Sequence, residues 1–162
     1  MIKKITVALS FLLLSGCAAM NASGPLFETH VSVPEGKALI YLFKPDSALK
    51  DGVTTCLELT LDDIEQGCVR GSGYIVTEVD VGKYQAALVN KSAFGYKLLQ
   101  FELEVSSGEV VYLEYAFARD VNGESLDTRS THVGLYIFED HVVAKLREDE
   151  ALQKLSSLKL SI

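Results

Sequence analysis

Serine, histidine and paired carboxylates are the residue types from which hydrolytic sites are built, and this chain holds each of them without the spacing that makes a site. Nucleophilic hydrolysis needs an activated Ser or Cys beside a His and an orienting acid, often with the serine on a strained G-x-S-x-G turn. Gly71-Ser72-Gly73 lacks that pattern and reads as a loop. Of the three histidines, His30 falls in a polar stretch, while His132 and His141 are spaced outside any metal-ligand pattern such as H-E-x-x-H, so both read as surface or packing residues. Acids gather at Asp62, Asp63 and Glu65 and again at Asp120, Glu124 and Asp127, where a carboxylate pair could serve glycan cleavage. Both groups lie in stretches that turn the chain, where acids favour solubility by default, and Asp120-Val121-Asn122-Gly123-Glu124 lacks the full calcium-loop pattern. The expectation is no catalytic residue, no metal site and no cofactor.

The thiols carry more chemistry. Lys3 and Lys4 open the chain with positive charge, and Ile5 to Leu14 (ITVALSFLLL) is an apolar run about half the length of the roughly 20 residues that span a bilayer, which suits an export signal. Leu14-Ser15-Gly16-Cys17 follows, and this tetrad resembles the lipobox of bacterial lipoprotein precursors. The resemblance implies a diacylglyceryl thioether on Cys17, cleavage before it, and acylation of the new amino group. One acyl chain holds a protein only marginally at about 0.8 kcal/mol per buried methylene, so two or three chains make a durable anchor. The competing reading is an ordinary signal peptide followed by a chance cysteine. No Asp follows the cysteine, which under enterobacteria-like sorting implies the outer membrane, facing the periplasm. The segments expected are a signal peptide at 1–16, a lipidated N-terminus and tether at 17–34, and a β-rich domain at 35–162.

With Cys17 assigned to lipid, Cys56 and Cys68 remain as an even pair in an oxidising compartment. Leu57, Leu59 and Leu61 alternate with Glu58 and Thr60, and a turn near Asp62 would bring the two thiols face to face across an antiparallel pair. A disulfide there would constrain the unfolded chain by roughly 3 kcal/mol. Two free buried thiols are the alternative.

The elements that would position these groups are mostly strands. Lys37 to Phe43 (KALIYLF) is an apolar run closed by Lys44-Pro45-Asp46, as in a central strand buried on both faces. Tyr74 to Val81 and Tyr84 to Val89 resume strand chemistry around Gly82. Leu99, Phe101, Leu103 and Val105 alternate strictly with polar residues, and Ser106-Ser107-Gly108 leads into VVYLEYAF, which reads as a hairpin. Arg119 to Arg129 reads as a polar turn region, and Val133, Leu135 and Ile137 as a last strand. From Glu139, Val142, Val143, Leu146, Ala151, Leu152 and Leu155 recur at helical spacing, predicting a terminal helix broken near Arg147. Short strands between regular turns predict a mainly β fold, an antiparallel β-sandwich or barrel-like domain with a C-terminal helix. Hydrophobic residues at 48% and charged residues at 23% suit such a body. The net charge of −7, two units lower once Lys3 and Lys4 are removed, repels phosphate backbones and anionic headgroups, so no nucleic acid is expected and membrane attachment falls to the N-terminus.

GKALIYLFKPDS, GKYQAAL and SGEVVYLEY together resemble an uncharacterised bacterial lipoprotein domain, domain-of-unknown-function family 2846, over Gly36 to Phe117. Lys44 departs from it, standing where arginine is usual. The resemblance implies an envelope lipoprotein with a β-rich domain and carries no catalytic residues. Tyrosine suits both sheets and binding surfaces, and Tyr112 and Glu114 share one face of VVYLEY opposite Val111, Leu113 and Tyr115, which makes them the candidate partner surface. The expected function is non-enzymatic: a membrane-anchored interaction or structural module docking an envelope protein. The alternative is a carrier or enzyme acting on a small envelope ligand such as lipid or glycan.

Overall fold

The computed structural model describes residues 21–28, 32–45, 56–91, 96–117, 123–129, 132–133, 136–137 and 140–162. The signal segment 1–16, Cys17, His30 and residues 120–122 of the calcium-like stretch lie outside the described residues. Among the described residues the strands in chain order are β1 (Lys37–Lys44), β2 (Leu57–Leu61), β3 (Ile64–Val69), β4 (Gly73–Asp80), β5 (Gly82–Asn90), β6 (Tyr96–Val105), β7 (Val110–Phe117), β8 (Glu124–Arg129), β9 (His132–Val133), β10 (Tyr136–Ile137), β11 (His141–Leu146) and β12 (Lys159–Leu160), with the helix α1 (Glu148–Leu155) before the last.

Two sheets face each other as a sandwich, one ordered β12-β4-β1-β7-β11-β8 and the other β3-β2-β5-β6. Which strand goes where follows from its apolar pattern. Every residue of β1 after Lys37 and every residue of β7 after Val110 is buried, so both strands need cover on two faces and sit side by side at the centre of the larger sheet. From Leu99 onward β6 alternates buried and exposed residues, needs cover on one face only, and forms an edge of the smaller sheet. Ile40, Leu42, Leu59, Leu88, Leu99, Phe101, Leu113 and Tyr115 meet between the sheets. On the far side of the larger sheet, Leu39, Tyr41, Phe43, Tyr74 and Tyr112 pack under Ala151 and Leu155 of α1 and under Leu158. Fully burying one such Leu is worth about 2 kcal/mol.

The mainly β sandwich expected from the strand pattern is present, and several details differ from expectation. The larger sheet is mixed, because β1 pairs with β7, and β4 with β12, in parallel. Ser106-Ser107-Gly108 does not close a hairpin: β6 pairs with β5, whereas β7 pairs with β1 and β11, so the turn carries the chain from one sheet to the other. The start of β1 draws it across, since Gly108 N–H donates to Lys37 O at 2.8 Å and Leu39 N–H to Glu109 O at 2.9 Å. Residues 141–146 form a strand and the helix begins only at Glu148, because a short run buried on both faces has the same apolar content in either conformation. Glu124–Arg129 is an edge strand whose polarity reflects its position, and the strand expected around Val133 to Ile137 is a small ladder of β9 with β10.

The turn near Asp62 is as expected. Asp62 and Asp63 have φ of 49° and 64°, the left-handed pair that suits a tight hairpin between β2 and β3. Cys56 and Cys68 form a disulfide with Cα atoms 5.5 Å apart, stapling the entry of β2 to the end of β3. Part of the stretch read as a tether is folded onto the body: Ala22 N–H donates to Gly71 O, Phe27 N–H to Leu158 O, and Phe27 packs on the outer aromatic layer.

Candidate functional site

The face carrying Tyr112 and Glu114 is covered, which removes it as a partner surface. Tyr112 is 6% exposed and stacks on Tyr41, with ring centroids 5.5 Å apart. Glu114 is fully buried, and both its carboxylate oxygens accept from Lys154 Nζ of α1, at 2.6 and 2.7 Å. The two residues do share a face, and the helix that covers it is the reason they do not reach solvent. Glu114 is a clamp for α1.

Where β1 and β7 end and β11 begins lies a row of polar and aromatic side chains. Tyr115 OH is 2.6 Å from His141 Nδ1, their rings are stacked, and Phe117 flanks the imidazole. Lys44 Nζ, fully buried, lies 6.0 Å from the centre of the Tyr115 ring. These contacts make His141 a packing histidine, as its spacing implied. Gly71-Ser72-Gly73 is a structural turn: a Cβ on Gly73 would stand 2.5 Å from the Cβ of Ala22, so only glycine lets the N-terminal segment dock there.

The acids of the Asp62 turn are engaged with neighbours. Asp62 accepts from Gln85 N–H at 2.9 Å, Asp63 pairs with Lys97 at 2.8 Å, and Lys91 bridges Glu58 and Glu65. A shallow cleft of about 390 Å³ beside them is lined by Asp62, Lys83, Tyr84, Gln85, Glu102 and Glu104. Its carboxylates are tied in cross-strand pairs, Lys83 with Glu104 at 3.2 Å and Gln85 with Glu102 at 3.3 Å, which is how sheet surfaces are stabilised. From the second acidic group, Asp127 Oδ2 accepts the Gln100 N–H at 2.8 Å and so caps the outer edge of β6. No cluster of three or more metal-ligating side chains occurs among the described residues.

A groove of about 430 Å³ opens on the outer layer. Tyr41 and Tyr74 form its floor, Leu26, Phe27 and Glu28 one wall, and Val76 the other. Phe27 meets both tyrosines edge-on at 5.7 and 5.4 Å. Burial pushes the hydroxyls of Tyr41, Tyr74 and Tyr112 above the ordinary tyrosine pKa, which keeps the layer uncharged. Leu26 and Val76 are exposed. Sequence patterning placed Phe27 in a tether and so missed the groove; the signal was Pro25-Leu26-Phe27, an apolar island in a polar stretch.

The described residues form a β-sandwich with a helix packed on one face and an aromatic groove on that outer layer. Residues 34–126, more than half of the chain, match the family described as Protein of unknown function (DUF2846), and the chain belongs to it. No curated protein and no solved structure matches the chain.

Proposed function

We propose that this chain is a lipoprotein of the bacterial cell envelope, held by acyl chains on Cys17, and that its β-domain works by docking a protein partner rather than by catalysis. The observation that carries the reading is Leu14-Ser15-Gly16-Cys17 behind a short apolar run with two lysines before it. The Cys56–Cys68 disulfide supports it, because such bonds persist in oxidising compartments outside the cytoplasm. The docked N-terminal segment supports it too. Asn21, which bridges to Gly71, leaves a leash of at most about 14 Å back to Cys17, so lipid there would hold the body close against the bilayer. No described helix is long and apolar enough to cross a membrane. The absence of Asp after the cysteine favours the periplasmic side of the outer membrane.

The test is a Cys17→Ser exchange in the native host. The parent chain is expected in the membrane fraction with the added mass of its acyl groups, and the variant without that mass, either released as a soluble form after cleavage elsewhere or retained as an uncleaved precursor that still carries residues 1–16. A parent chain without acyl mass, or a Cys17→Ser protein cut at the parent's site that still sediments with membranes, contradicts the reading.

A further inference from the structure

We propose that the outer edge of β4 is a strand-addition site for an extended peptide segment of a partner protein, apolar at alternate positions and carrying at least one Lys or Arg. This deepens the docking function proposed above and rests on it.

The argument begins with which main-chain groups point outward. Leu39 N–H donates to Glu109 O on the β7 side of β1, so the pair Leu39 and Glu78 is one of those that exchange no hydrogen bonds across β1 and β4. Glu78 therefore turns its N–H and C=O away from β1, and by the period of two so do Val76 and Tyr74. The outward carbonyl of Tyr74 is taken by Ser161 N–H at 2.8 Å, and that of Ser72 by Lys159 N–H at 3.3 Å. Pairing with β12 covers only Gly73 and Tyr74. Below that point no described residue bonds the outward groups of Val76 or Glu78.

These open groups repeat along the edge at about 6.7 Å, the spacing of alternate strand residues. Another strand satisfies donors and acceptors at that repeat, whereas an acyl chain offers them nothing. Side chains of an added strand would meet the groove, with Tyr41 and Tyr74 as its floor and Val76, 39% exposed, beside the open edge. Continuing the parallel register of β12 brings Ile162, 72% exposed, to the level of Val76. Among the described residues, Glu28 lines the groove and Glu78 and Asp80 follow Val76 at alternate positions along β4, while Lys37 is the ammonium beside them, 3.9 Å from Glu78 and 2.9 Å from Asp80. That excess of negative charge selects a cationic residue in the guest. The long edge of β6 is blocked, in contrast, by Asp127 on the Gln100 N–H. Exposed strand edges are usually guarded in this way, and strand addition is a recurring mode of peptide recognition.

The test titrates the full chain as purified from its native host, kept in detergent micelles, with an acetylated hexapeptide of alternating Val and Lys, reading amide exchange residue by residue. Two further peptides carry N-methyl groups on one alternate set of residues or on the other, which removes the hydrogen-bonding capacity of one strand edge at a time. Binding is expected to slow exchange of the Val76 and Glu78 amides about tenfold, and one N-methylated peptide is expected to lose about tenfold in affinity while its sibling keeps it. Equal binding of all three peptides, binding without slowed exchange at Val76 and Glu78, or no binding overturns the proposal. Amides already protected in a dimer, with no peptide present, overturn it in favour of a second copy of this chain. Membrane attachment does not enter the titration, so failure of the Cys17→Ser test and failure of this one are read separately.

Discussion

Glu109 lies at the crossing from β6 to β7, where its carboxylate accepts from Lys145 Nζ at 2.9 Å and from Ser106 N–H at 2.8 Å. Burial alone would raise its pKa; the lysine and the backbone donor outweigh that and hold it below the ordinary 4.5. A carboxyl with a depressed folded-state pKa contributes stability that is present above the unfolded value and is lost as pH falls through the folded one. Glu109→Gln is therefore expected to cost about 1 kcal/mol at neutral pH, discounted for partial exposure, with the gap to the parent closing as the medium is acidified below 4.5. Urea denaturation at neutral and acid pH measures that gap, and an unchanged gap contradicts the assignment. Single-residue chemistry was partly legible beforehand. Cys56 and Cys68 pair across the hairpin because local alternation and a turn are all that their geometry needs. Tyr112 and Glu114 were placed on the correct shared face, but alternation cannot say what lies over that face.

The helix is the cover, and its attachment is testable at the scale of elements. Glu148, Asp149 and Glu150 in its first turn and Lys154 in its last complement the helix dipole, Ala151 and Leu155 face the sheet, and Lys154 grips Glu114. Removing one partner of a buried ion pair costs more than the pair itself contributes, because the other charge stays desolvated. Lys154→Met is thus expected to lower stability by about 2 to 3 kcal/mol in urea denaturation. Adding Glu114→Gln is expected to recover part of the loss; a single variant as stable as the parent contradicts the clamp. Strand identities were readable wherever one face is wet, as in β6. They failed where both faces are covered: β11 lost its period, and β7 was assigned to the wrong neighbour.

Over the whole molecule, the N-terminal segment, the β12 lane and the outer aromatic layer form one unit around Gly73. A methyl group at that position would meet Ala22 Cβ at 2.5 Å and Ser161 Oγ at 2.7 Å. Gly73→Ala is expected to cost about 1 to 3 kcal/mol and to raise amide exchange across residues 21–28, while the amides between the sheets keep their protection. Uniform loss of protection, or none, contradicts a separately docked segment.

Composition, the disulfide partners and the mainly β class follow from the order of residues alone, because each depends on contacts between near neighbours or on bulk solvation. The parallel pairing of β1 with β7, the passage of the 106–108 turn between sheets, the burial of Glu114 and the groove beside Val76 come from tertiary packing. Strands buried on both faces carry no alternation to reveal their partners. Their neighbours are chosen by which arrangement covers both faces at once, a condition that segments far apart in the chain satisfy together.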